Sequence, residues 1–238
     1  MVAPVIASKS SKTETSNVTS LTLTAPSGIS DGDVLLIVLA LDGDPTAFVN
    51  QSGGGSWVQI TPVNGDKAPI SRATLYAIYK IASSESGDYT TTWTGGQQGQ
   101  GLMYRISGSI AGDEVDDPNN PSSAATDPST ADSFNTDADD VLALALHAVD
   151  RERITNGQSD GGTGWTTEDI IESGGANGAA CGVSRKTIGT KGATLNSTQA
   201  LSTADEWATR QIGIRSIAPV AGETDVFHCG TVMGMGMF

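Results

Sequence analysis

The sequence predicts an all-β fold, an antiparallel β-sandwich of jelly-roll-like type made of two pseudo-repeated halves. Three observations predict it. Apolar runs are short, alternate with period two or are wholly apolar, and are separated by Gly, Asn, Asp and Pro clusters, as strands joined by turns require. Gly contributes 29 of the 238 residues, whereas aromatic residues make up 5% and charged residues 17%, which is poor material for helical bundles. The second half also repeats the first at an offset of about 107 residues.

Taken in order, the first copy opens with a Thr-rich strand, Val18 to Thr24, then an acidic turn, Asp31-Gly32-Asp33, and an apolar run from Val34 to Leu41 that ends at Asp42. That run is less than half of the ~20 residues a membrane-spanning helix needs. A Gly-rich loop, Gly53 to Trp57, follows, and Asn64-Gly65 between Trp57 to Ile60 and Arg72 to Ile81 predicts a hairpin. An alternating strand from Ala73 to Lys80, a Thr-rich strand near Tyr89 to Trp93 and a closing strand from Gly101 to Ser107 complete the copy. The second copy has the same order: Asp137 to Asp140, the run Val141 to Asp150, the loop Gly161 to Trp165, the strand Ala180 to Lys186 and the closing strand Arg210 to Ser216. Thr203 and Glu206 fit a capping box, but Trp207, Ile212 and Ile214 have a mixed period, so Ser202 to Ile214 is read as a turn and a strand. Four segments result: residues 1–111 as the first repeat, 112–139 as an acidic Pro/Ser/Thr-rich connecting loop, 140–217 as the second repeat, and 218–238 as a C-terminal arm.

Charge narrows the function classes. With 13 Lys plus Arg against 27 Asp plus Glu the net charge is -14, so a nucleic-acid surface or an anionic membrane is not expected as partner. The segment Met1 to Ile6 lacks the features of a secretory signal, and export by that route is not expected. Cys181 and Cys229 share no metal-ligand spacing and read as reduced, structural residues.

No catalytic motif emerges. His147 and His228 are the only imidazoles, and His147 lies in an apolar strand where a structural role is expected. There is no Gly-x-Ser-x-Gly, Walker or His-Glu-x-x-His pattern, and Gly53, Gly54 and Gly55 read as turn residues, so neither an enzyme nor a cofactor is expected. The clusters Asp31, Asp33, Asp42, Asp44 and Asp113, Glu114, Asp116, Asp117 offer oxygen ligands of the kind Ca²⁺ takes. Neither follows the twelve-residue ligand loop, and turn capping explains them without a metal. Trp57 and Trp165 are the candidate sugar-stacking platforms, although equivalent places in the two copies fit a core or sheet-edge role better.

The succession "GDVLLIVLALDG", "GGSW", "TLYAIYKIA", "YTTTW", "YRISG", "VDDP" and "DDVLALALHAVD" resembles a group of uncharacterised phage and prophage virion structural proteins, over roughly residues 5 to 217. The resemblance implies a β-sandwich with a structural or adhesive role on a virus particle assembled in the host cytoplasm, and no catalytic residue. The expected function is that of a capsid decoration or cement protein bound to the major capsid lattice; the alternative is a carbohydrate-binding tail or fibre module. A homo-oligomer, taken as a trimer, is expected from that class of protein. The tail Val226 to Phe238 is rich in Met, Phe and Gly, so it is expected to be an interaction arm anchored by Met233, Met235, Met237 and Phe238.

Overall fold

A computed structural model describes residues 3–50, 56–69, 72–108, 115–116, 121–151, 154–158, 164–173 and 178–216. These residues form strands and connections and no helix. The strands of the first half are β1 (Val5–Leu23), β2 (Val34–Asp42), β3 (Thr46–Asn50), β4 (Val58–Gln59), β5 (Asp66–Lys67), β6 (Ala73–Ile81) and β7 (Tyr89–Ser107). Those that follow are β8 (Val115–Asp116), β9 (Ser122–Thr126), β10 (Ser129–Ala131), β11 (Val141–Asp150), β12 (Ile154–Gln158), β13 (Thr166–Glu172), β14 (Ala179–Ile188), β15 (Ser197–Leu201) and β16 (Asp205–Ile214).

One sheet has the order β1-β7-β2-β6-β4, with β3 on β7 and β5 on β6; a second has the order β13-β14-β11-β16-β8, with β9 on β16; a third, smaller sheet is β10-β15-β12. Every ladder among the named strands is antiparallel. The apolar runs β2 and β11 are central in their sheets, with β7 and β6 flanking the one and β16 and β14 the other. These two sheets pack face to face: Val34, Leu36, Val38 and Ala40 meet Leu142, Leu144, Leu146 and Ala148 in one cluster. β2 lies against β11, β7 against β14 and β6 against β16. That pattern is what a twofold axis running parallel to β2 and β11 would generate.

The opposite faces are covered as well. Leu35, Ile37, Leu39 and Leu41 pack under Leu21, Leu23, Phe48, Tyr89 and Trp93, from the end of β1, from β3 and from the start of β7. On the other side Ala131 of β10 covers Val141, Ala143 and Ala145, while Ile154 of β12 and Leu201 of β15 cover Val149. The central strands are thus buried on both faces, which is why they are wholly apolar instead of alternating. Each such leucine contributes about 1.5–3 kcal/mol by its burial.

Strands β1 and β7 span 19 residues each and serve two layers. The first part of β1, Val5 to Glu14, pairs with Gly99 to Ser107, whereas Ser20 to Leu23 pairs with Tyr89 to Thr92, with register shifts between the two stretches. Glycines mark the place where the ladder passes close to the core: a Cβ on Gly99 would lie 2.2 Å from Leu41 Cδ2 and one on Gly101 2.7 Å from Leu21 Cδ2. In the second half two separate strands, β15 and β16, stand where β7 does, and they pair with the separate strands β10 and β9.

Two expectations change. The stretch read as a connecting loop, 112–139, carries β8, β9 and β10, paired to β16 and β15; short Ser/Ala/Thr strands that add to a sheet edge have no apolar alternation to reveal them. The turn at Asn64-Gly65 forms, with the Gly65 N–H donating to Pro62 O at 2.7 Å and Gly65 at φ 72°. The expected pairing forms across it: β4, within Trp57 to Ile60, runs antiparallel to β6, within Arg72 to Ile81, with Val58 opposite Tyr79 and Gln59 opposite Ile78, and β5 in the connection pairs with β6 as well, Asp66 opposite Leu75. Ser202 to Ile214 is a bend followed by β16, as expected. The sheets partition by chain half, so strands do not thread back and forth between the two halves as in a jelly-roll. Among the described residues no helix is long and apolar enough to cross a membrane. The C-terminal arm with Met233, Met235, Met237 and Phe238 lies outside the described residues, as do His228 and Cys229.

Candidate functional site

Polar side chains concentrate where the two halves meet. Arg210 of β16 shares its face with Ala208 and Ile212, which point at the first half. It is fully buried and forks onto Asp66 of β5, with Nε donating to Oδ2 at 2.8 Å and Nη2 to Oδ1 at 3.1 Å. Toward the β13 edge, the Tyr104 hydroxyl donates to Asp169 Oδ2 at 2.8 Å, and the Lys9 ammonium donates to Asp169 Oδ1 at 2.8 Å and Glu168 Oε1 at 3.0 Å. Burial, reinforced by the Asp169 carboxylate, pushes the Tyr104 phenol well above its ordinary range.

Asp42 ends β2 and Asp150 ends β11, and each carboxyl bears on the charge of the other. Asp150 is 3% exposed, and this burial, with Asp205 and Asp42 adding negative charge, pushes its carboxyl up to about 7 against the pull of Arg151. Arg151 Nε is 3.8 Å from Asp150 Oδ2. Burial also raises Asp42, opposed by Asp150, the Gly43 N–H, Arg151 and Arg72. The sequence signal for this pair is that both apolar runs end in Asp.

The tryptophans are placed differently from each other. Trp165 is 3% exposed, packs with Val141, Ala143 and Ala145, and donates its indole N–H to Leu195 O at 3.2 Å. This overturns its reading as a sugar platform, because no ring face is open for stacking. Trp57 is half-buried; the Lys80 ammonium stands over its ring at 5.2 Å and Tyr89 meets it edge-on at 5.9 Å. Lys80 is itself buried and paired with Glu85 at 2.7 Å, so the ring face is part of an internal cation cage.

The acidic cluster around β2 is divided by the strand. Asp31 accepts from the Ser84 N–H, and Asp33 accepts from Arg105 Nε at 2.6 Å, at one end; Asp42 meets Asp150 and Asp44 meets Lys67 at 2.8 Å at the other. At ~3.3 Å per residue the strand holds the two ends too far apart to share a cation. Asp113, Glu114 and Asp117 lie outside the described residues, and Asp116 is described by its backbone in β8. Among the described residues no group of three or more His, Cys, Asp or Glu is placed to hold a metal ion.

His147 is fully buried; its Nδ1 lies 3.1 Å from Ser129 Oγ, its Nε2 has no partner, and burial pushes it down to about 3. Cys181 is a buried free thiol, pushed up by burial. Sequence reasoning placed both in the interior but did not foresee the orphaned Nε2. No family model, curated protein or solved structure matches the chain.

Proposed function

We propose that the protein is a non-enzymatic structural component of a virus particle, most simply a capsid decoration or cement protein that docks on the major capsid lattice. The observation that carries this reading is where the reactive side chains stand. His147, Cys181, Lys80 and Arg210 are each at most 1% exposed, inside stacked sheets. The long strand β1 presents mainly hydroxyl side chains outward, with Lys9 and Lys12 among them. The net charge of -14 makes the molecule as a whole acidic, which suits it to a basic patch on a lattice, where charge complementarity sets register. The arm at 226–238 is assigned the anchoring contact, and a trimer is the proposed assembly.

Co-sedimentation of the purified full chain with capsids tests the proposal. Saturable binding at a stoichiometry set by the lattice, lost on deleting residues 226–238 from a chain that still folds, is the expected result. Failure to bind capsids combined with glycan binding that Trp57→Ala abolishes would replace this reading by the adhesive one. Mass photometry reads the trimer.

A further inference from the structure

The inner faces of the two halves differ where they carry charge, and the ladders fix which positions correspond. Asp66 lies opposite Leu75, and Leu75 opposite Ala40, two residues before Asp42 closes β2. Ile171 lies opposite Cys181, and Cys181 opposite Ala148, two residues before Asp150 closes β11. Ile171 therefore holds in the second half the place that Asp66 holds in the first. Arg210 lies opposite Leu146 and Leu102 opposite Val38, each four residues before the closing Asp, so Leu102 holds the place of Arg210. In the same way Ile212, opposite Leu144, holds the place of Tyr104, opposite Leu36.

We infer that the Asp66–Arg210 pair, seconded by Tyr104 with Asp169, keys each inner face to the other half and against its own kind, so that the partner this face accepts from outside the chain is the complementary half of a second copy. The twofold relation between the halves makes the alternatives explicit. Two first halves joined in this way would set each Asp66 against Leu102. Two second halves would set each Arg210 against Ile171 and each Asp169 against Ile212. Arg210 is fully buried and Asp66 is 7% exposed, so each like pairing buries two charges without the opposite charge that the native pairing supplies.

The native pairing forks the Arg210 guanidinium onto the Asp66 carboxylate at 2.8 and 3.1 Å and gives Asp169 the Tyr104 hydroxyl at 2.8 Å. Lys9 adds its ammonium to Asp169 and Glu168 at the rim, where its exposure to water weakens the pairs. Attraction to the right partner is thus combined with stranded charge against the wrong one, which is how an interface discriminates. Strands β8, β9 and β10 pair within the second half, so an exchange of halves passes through the connection between Ser107, which ends β7, and Val115, which opens β8.

The experiment uses two full-length variants, Asp66→Leu and Arg210→Leu. Each alone sets a buried charge against leucine and should melt below wild type. Unfolded together and refolded, the two chains can exchange halves: Asp66 of one then meets Arg210 of the other, and the two introduced leucines meet each other. The expected product, read by native mass spectrometry with one variant isotopically labelled, is a dimer holding one chain of each kind. It should exceed the share that random pairing gives and melt above either variant alone. Dimers in the random share, or no mixed dimer, overturn the inference. Where neither variant folds by itself, folded protein recovered only from the mixture is the same support, and none recovered overturns it. The double variant Asp66→Leu/Arg210→Leu gives a second reading that needs no exchange, because replacing both partners of a buried pair by apolar groups removes the stranded charge. It should melt above both single variants, and a double variant that melts no higher than the more stable single one overturns stranded charge as the key.

Discussion

The layer under β2 and the layer under β11 fill the same place in the two halves by different means. In the first half Leu35, Ile37, Leu39 and Leu41 meet a cluster of aromatic rings, with Phe48 stacked on Tyr76 at 4.1 Å and tilted against Trp93 at 6.0 Å. In the second half the corresponding face of β11 carries Ala143, Ala145 and His147, and hydrogen bonds take over from area. Gln211 Nε2 donates to Ala131 O at 2.9 Å and Leu195 O at 3.0 Å, Thr194 Oγ1 donates to Gln211 Oε1 at 2.6 Å, and Gln199 Nε2 donates to Ser184 Oγ at 3.2 Å. A shared frame of strands thus tolerates either filling. The polar filling demands that each group find its partner, and His147 Nε2 and Gln199 Oε1 do not.

Substitutions can break this contrast, the largest effect coming from the aromatic layer. Phe48→Ala removes a ring 3% exposed and should cost about 3–5 kcal/mol in denaturant unfolding. In the polar layer, Gln211→Leu should cost about 1–3 kcal/mol by removing the amide that joins Thr194, Ala131 and Leu195, although the Thr194 hydroxyl keeps Phe134 O and the Leu195 carbonyl keeps the Trp165 indole. A similar loss of about 1–3 kcal/mol is expected for Gly182→Ala, whose new Cβ would stand 1.8 Å from Gln199 Oε1; adding Gln199→Ala should restore part of it if that collision is the cause. The smallest change belongs to His147→Leu, which exchanges one hydrogen bond to Ser129 for the loss of an orphaned ring nitrogen and should stay within about 1 kcal/mol near neutral pH. The same variant should flatten the fall in stability as pH drops from 6.5 toward about 3, because wild-type His147 resists protonation while folded.

Much of the frame was legible because it depends on pattern. The runs Val34 to Leu41 and Val141 to Val149 read as short apolar strands between turn clusters, and Ser202 to Ile214 had a mixed period that favoured a turn and a strand. What escaped depends on partners distant in sequence. Gly95 to Gly101 looked like a break between two strands, yet Gly99 and Gly101 lie within one continuous β7 because leucines crowd its backbone there. Ser122 to Ala131 looked like linker because a polar edge strand leaves no hydrophobic period. Asp42 was grouped with its sequence neighbours, whereas Asp150, the carboxyl that bears on its charge, stands 108 positions further on. Trp57 and Trp165 matched in position but not in surroundings, since Lys80 with Glu85 reaches the one and alanines pack beneath the other.

The apolar cluster through which each half packs on the other has a further consequence for how the molecule responds to dilution. Synthesised as separate chains, the halves would each carry a sticky surface of valine, leucine and isoleucine, and their union would depend on how often they meet. Joined in one polypeptide, they experience a local concentration on the order of millimolar however thin the solution. Unfolding of the intact chain should therefore be independent of protein concentration, whereas a pair of fragments divided between Gly108 and Pro121 should come apart on dilution and reassemble when concentrated.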